Sequence, residues 1–211
     1  QLQDEKVRLK NAMRKFSQHT LFFVAPISAM LIVIAKPLFL VLLTKKWLPM
    51  VPYFQLLLIA GALYPIHMVN IQVLSAQGKI NLTFRLEMLK NSLRVLNIII
   101  MYRFGVIYII IGEIVLSFIA LIINTYYTKR MVNYSISEQL KDLFSILFSS
   151  VLIIPLSVLN LQHITNPYFK ILVGIIITSL SYIILMYFFN RKLLVESFNP
   201  IKYRILNKDN S

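Results

Sequence analysis

Glu87, Lys90, Asn91 and Arg94 stand at i, i+3, i+4 and i+7, a spacing that puts all four on one face of a helix. Asn97 extends the stripe by three residues. Two cations beside a carboxamide are suited to binding an anion. Lysine offers three rotatable donors, and arginine offers a planar fork that grips phosphate bidentately. The surrounding sequence makes the stripe unusual. The apolar run Leu93–Tyr102 is too short to cross a bilayer, so a spanning helix has to draw in Ile80–Ser92, and with it Arg85, Glu87, Lys90 and Asn91. Arg94 would then lie about 21 Å from the helix start at roughly 1.5 Å per residue. A charge facing lipid at that depth costs about 2.5–3.5 kcal/mol. Two readings follow. In the first, Lys90, Arg94 and Asn91 form a cationic wall of a water-filled lumen that accepts an anionic group. In the second, the first half of this helix projects into water, and Glu87 is an ordinary surface neighbour of Lys90 and Asn91.

Two further charges stand alone in apolar surroundings. Lys36 and Glu113 are each seven residues from a helix end, about 10 Å deep by the same rise. Opposite charges at matched depth predict an intramembrane ion pair, or a proton-titrating role for Glu113; the alternative for Lys36 is snorkelling to the interface. His19, His67 and His163 fall in three different segments with no ligand-like spacing, and cysteine is absent. No metal site, cofactor or disulfide is therefore expected. No Ser-His-Asp set, glycine-rich phosphate loop or pair of catalytic carboxylates appears, so the expectation is a protein that is not an enzyme.

The elements that must position these residues are helices. The chain has 211 residues, 58% of them hydrophobic and 14% charged, with a mean hydropathy of +0.72; an ordinary soluble domain is about 25% charged. Six apolar stretches, at 20–43, 51–76, 80–102, 106–127, 140–161 and 168–189, each match the roughly 20 residues a helix needs to cross a bilayer. The expected class is all-α, a polytopic membrane protein with six transmembrane helices. Barrel strands would be shorter and would alternate in polarity.

The net charge of +14 does not call for nucleic acid, because of where the cations fall. Lys6, Arg8, Lys10, Arg14 and Lys15 precede the first span. Lys79, Arg85, Lys90 and Arg94 flank the second connector; Lys129, Arg130 and Lys141 flank the fourth. Arg191, Lys192, Lys202, Arg204 and Lys208 follow the last span. The opposite side carries only Lys45, Lys46, Arg103 and Lys170. The positive-inside rule makes both ends cytoplasmic, as an even span count requires, with the cations set against anionic membrane lipids.

Residues 1–19 interleave Leu2, Val7, Leu9, Met13 and Phe16 with basic residues. They read either as an amphipathic cytoplasmic helix at the membrane surface or as the cytoplasmic extension of an earlier span. Residues 191–211 form a basic cytoplasmic tail whose polar ending, Asn207–Ser211, has the look of a natural C-terminus. The chain opens on Gln1 without a signal segment, so residues upstream are expected. Trp47, Pro49, Pro52 and Tyr53 mark the first outer loop, Gln77-Gly78-Lys79 a tight turn, and Asn166-Pro167 a break before the last span. Pro37, Pro65 and Pro155 lie within spans.

The run from Pro37 through Thr44-Lys45-Lys46-Trp47-Leu48-Pro49 is followed by Val51-Pro52-Tyr53-Phe54-Gln55-Leu56-Leu57 and Ala60-Gly61-Ala62-Leu63-Tyr64-Pro65. Then come Leu74-Ser75-Ala76-Gln77-Gly78-Lys79 and Leu86-Glu87-Met88-Leu89-Lys90. In order and spacing, these segments resemble the C-terminal half of the polysaccharide transporter family. These are the Wzx-type lipid-linked oligosaccharide flippases, whose MOP superfamily also includes MATE-type multidrug exporters. The leading Gln3-Asp4-Glu5-Lys6-Val7-Arg8-Leu9-Lys10 resembles the basic segment before that family's ninth span. The resemblance is strongest over residues 36–90 and fades after about residue 135. It implies a fourteen-helix protein of which the last six helices are present, forming most of the second lobe. It also implies a function: moving an undecaprenyl-diphosphate-linked oligosaccharide across the bacterial inner membrane for O-antigen, capsule or exopolysaccharide synthesis, with other glycan-assembly proteins as partners. The family's cavity tends to be cationic, which corresponds here to Lys90 and Arg94. A cation-coupled drug exporter would need an acidic cavity instead. A membrane-embedded polymerase or ligase would need a large outer loop, and a purely structural subunit would have no polar lumen.

Overall fold

The computed structural model describes residues 2–198, and among them every regular element is helical. Lys202, Arg204, Lys208 and the polar ending of the expected basic tail lie outside the described residues. The helices are α1 (Leu2–Leu42), α2 (Val51–Ala62), α3 (Tyr64–Ala76), α4 (Ile80–Met101), α5 (Val106–Val132), α6 (Ile136–Leu161) and α7 (Pro167–Phe198). Short 3₁₀ turns at Lys45–Met50 and Tyr102–Phe104 join α1 to α2 and α4 to α5.

Five segments are long and apolar enough to cross a membrane: Glu5–Leu42, Lys45–Ala76, Val106–Val132, Ile136–Leu161 and Pro167–Phe198. α4 is the exception. Its 22 residues reach about 33 Å, but Arg85, Glu87, Lys90 and Arg94 interrupt its apolar surface. The sequence expectation of six spanning helices therefore meets five that satisfy both length and hydropathy.

α1 runs unbroken for 41 residues, about 60 Å and twice the hydrocarbon thickness. Residues 2–19 are thus continuous with the first apolar stretch. Pro26 and Pro37 in α1 and Pro155 in α6 leave their helices intact, whereas Pro65 does not. Lacking an N–H for the Gly61 carbonyl, it begins a new helix, and the Leu63 N–H turns back to the Ala60 carbonyl at 3.2 Å. α7 bends at Asn190 (φ −157°, ψ 64°). There the Asn190 Oδ1 accepts from the Leu193 N–H (3.1 Å) and caps the short segment beyond, while its Nδ2 donates to Ser145 Oγ.

α1 is the spine of the bundle, packed on α2, α3, α6 and α7. Its small residues Ala25, Ser28 and Ala29 are buried and let neighbouring backbones approach closely. The main core joins Leu21, Phe22, Ala25 and Ala29 of α1 to Ile66, Leu121, Ile146, Ile153, Tyr182 and Met186 from α3, α5, α6 and α7. α4 is peripheral. It packs on α5 and α3 and touches none of α1, α6 and α7 among the described residues, leaving Met88, Val95, Ile98 and Ile99 exposed.

A polar clasp ties the first half of α1 to the α5–α6 connector. Lys10 Nζ donates to Glu138 Oε1 and to the Asn133 carbonyl, both at 2.8 Å. Arg14 Nε donates to Asp142 Oδ2 at 2.5 Å, and Gln18 donates to the Asp142 carbonyl. The Tyr134 hydroxyl donates to the same Asp142 oxygen at 2.7 Å, and both cations lie over the Tyr134 ring. Burial, then the bond to Asp142, pushes the Tyr134 hydroxyl pKa above the ordinary tyrosine value. The connector itself is set by Asn133 in the left-handed region (φ 53°) and by a capping box between Ser135 and Glu138, a Ser-x-x-Glu signature present in the sequence.

Candidate functional site

The stripe on α4 faces a cavity of about 570 Å³ between α2, α3, α4 and α5. The α2–α3 break supplies one wall with Gly61, Tyr64 and His67, α4 supplies Glu87, Lys90 and Arg94, and α5 supplies Glu113 and Ser117. The 3.6-residue period explains why the α4 residues appear together. The Pro65 break explains why Tyr64 and His67 face them.

Each cation in the cavity has an acidic partner. Lys90 pairs with Glu87 one turn earlier on the same helix. Arg94 Nε donates to Glu113 Oε1 across to α5 at 2.9 Å, and its Nη1 lies 3.4 Å from Asn91 Oδ1. Lys90 is buried, with its side chain 10% exposed, while that of Arg94 is 47% exposed. Arg85 lies on the exposed surface. The four charges balance, so the wall is not cationic alone: Lys90 and Arg94 line it as the sequence predicts, but Glu87 and Glu113 line it too.

The expected Lys36–Glu113 pair does not form. Glu113 is bound to Arg94, and Lys36 lies in a separate groove with residues of the α6–α7 connector. The antiparallel α4–α5 hairpin accounts for this. Arg94 and Glu113 are nearly equally far from the turn at Tyr102–Phe104, so they meet at about the same height. Lys36 has that depth as well, but it lines the groove beside the α6–α7 connector, to which α5 contributes no residue. The hairpin is pinned one turn away, where Asn97 Nδ2 donates to the Ile109 carbonyl at 3.0 Å. The Asn97 side chain occupies the space that a Cβ on Gly112 would need.

Sequence reasoning passed over His67 because its spacing suited no metal. The structure buries it to 9% exposure in the cavity wall, with neither ring nitrogen hydrogen-bonded among the described residues. A buried polar group without a partner is costly, and here it adjoins the cavity beside Lys90. The signal available was its place two residues after a helix-breaking proline. Among the described residues there is no group of three or more His, Cys, Asp or Glu residues able to hold a metal.

Five long apolar helical segments define a multi-pass, all-helical membrane protein, and two of them, with α4, line a cavity that carries charged side chains. Residues 1–52, which cover α1, the first 3₁₀ turn and the start of α2, match the family described as "Polysaccharide biosynthesis protein". The match includes Lys10, Arg14 and Lys36 and stops before the cavity residues. No curated protein and no solved structure matches the chain.

Proposed function

We propose that this chain is part of a flippase that moves an undecaprenyl-diphosphate-linked oligosaccharide across the bacterial inner membrane, with no covalent chemistry of its own. On this reading the clasp end faces the cytoplasm, as the distribution of Lys and Arg favours. The observation that carries the proposal is the convergence of Lys90, Arg94 and His67 on one cavity within a bundle of membrane-length helices. The similarity of residues 1–52 to polysaccharide biosynthesis proteins supports the substrate class.

The geometry gives each residue a task. Glu113 holds the Nε edge of Arg94, which orients the guanidinium and leaves a terminal edge for a phosphate oxygen. Asn91 steadies the same group. Lys90 is a compact donor held ready by Glu87, and the His67 ring packs into the wall beside it. Because the carboxylates balance the cations, the cavity wall carries no uncompensated charge through the low-dielectric layer. An arriving diphosphate competes with Glu87 and Glu113 for donors already in place, which favours reversible capture over tight binding.

Glu87 and Glu113 in the wall also favour a second reading, a cation-coupled drug exporter, though each carboxylate is committed to a cation. The test is Lys90→Ala with Arg94→Ala in the intact protein, scored for surface polysaccharide and for resistance to cationic drugs. Loss of polymer with unchanged resistance is expected. Unchanged polymer overturns the flippase reading, and lost resistance favours the exporter.

A further inference from the structure

We propose that Lys36 and Lys170 together hold the phosphate of an anionic phospholipid, in a groove at the end of the bundle opposite the clasp. The groove, of about 370 Å³, lies between α1 and the α6–α7 connector; both lysines line it with Gln162 and Thr165, and its apolar lining includes Val33 and Val158. It shares no residue with the charged cavity.

The first argument is charge. Neither ammonium group has a hydrogen-bond or ion-pair partner among the described residues, and no acidic residue lines the groove. The sequence explains why: no Asp or Glu occurs between Glu5 and Glu87 or between Asp142 and Glu196, and the groove is built wholly from those two stretches. Every cation in the charged cavity has its carboxylate, whereas these two share a groove with none. Two cations that line one groove with no carboxylate attract an anion that either can contact.

The second argument is that the fold fixes the groove that both lysines line. Gly174 lies so close to α1 that an added Cβ would fall 2.6 Å from Ile34 Cγ2 and 3.3 Å from Leu161 Cδ1. Lys170 is one helical turn before Gly174, and Lys36 is two residues after Ile34. That close approach of α7 to α1 and α6 fixes the walls of the groove that Lys36 and Lys170 both line. The chemistry of the ligand follows. Two ammonium groups with a carboxamide and a hydroxyl suit a phosphate, and the apolar lining suits the chain attached to it. A free phosphate would leave Val33 and Val158 uncovered.

The test uses the whole chain in detergent, titrated with short-chain phosphatidylglycerol, with phosphatidylcholine of the same chain length, and with inorganic phosphate, and read by native mass spectrometry and thermal shift. Phosphatidylglycerol should bind at least tenfold more tightly than phosphatidylcholine and should raise the melting temperature, and added salt should weaken it. Lys36→Gln with Lys170→Gln should remove that preference, and Lys36→Arg with Lys170→Arg should keep it. If the double glutamine variant does not fold, each single glutamine variant should lose part of the preference. Equal binding of the two lipids, a preference that survives loss of both lysines, or inorganic phosphate binding as well as the lipid would each overturn the proposal.

Discussion

The clasp and the cavity contain the same charges: one lysine, one arginine and two carboxylates each. They use them differently. In the clasp, Lys10 has a carboxylate and a backbone carbonyl, Arg14 and Tyr134 share one oxygen of Asp142, and both cations lie over an aromatic ring. Glu138 also closes the capping box of α6. The cavity charges have fewer partners and face open volume, and a buried histidine there has none. A polar cluster whose donors are saturated by its own fold holds elements together. One that leaves donors facing a cavity is available to a ligand.

Substitutions can break or sharpen that contrast. The largest stability loss is expected for Asp142→Ala, which leaves the buried Tyr134 hydroxyl without its acceptor and releases Arg14, and should cost about 2–3 kcal/mol, read as a fall in the detergent melting temperature. Gly112→Leu drives a side chain into Asn97 and should cost about 1–3 kcal/mol while separating Arg94 from Glu113. Lost polymer in cells with protein still in the membrane checks that coupling. Ser135→Ala removes half of the capping box, and a loss of about 1 kcal/mol would mark the clasp as structural, with polymer unaffected.

Glu113→Gln tests the other side of the contrast. It should change stability by less than about 1 kcal/mol, as for a part-exposed pair, yet lower polymer export. An equal effect of Glu113→Gln and Asp142→Ala on melting would erase the distinction drawn between the two clusters. The smallest effect is a pH dependence. Because the Tyr134 hydroxyl is raised above its ordinary value of about 10, its contribution is complete below that pH and is lost as pH rises toward the folded value. Tyr134→Phe should flatten that alkaline part of the melting curve.

The positions of the helices could be read directly, because hydropathy and length are local properties. Pro65 announced a kink, and the structure makes it a break. The polar stripe of α4 was equally plain from its spacing. What eluded the sequence was the partner of Glu113. Depth alone suggested Lys36, and the short 102–105 connector, which makes α4 and α5 antiparallel neighbours, was the signal for Arg94 that the sequence reading left unused. The clasp was half visible in Ser135-x-x-Glu138, but nothing local ties Lys10 to a residue more than a hundred positions away. His67 was dismissed by a test of metal spacing, which says nothing about burial.

By itself, then, the sequence determined that the chain is helical and membrane-bound, where its charges lie along each helix, and which residues share a face. Those follow from the cost of unpaired backbone groups in lipid and from the 3.6-residue period. Only the tertiary structure decided which carboxylate meets which cation, and so that the wall of the cavity is balanced while the groove of Lys36 and Lys170 is not. Lateral packing sets those pairings. It is fixed by close approaches such as Gly112 against Asn97 and Gly174 against Ile34, and no periodicity along one helix records which neighbour it will have.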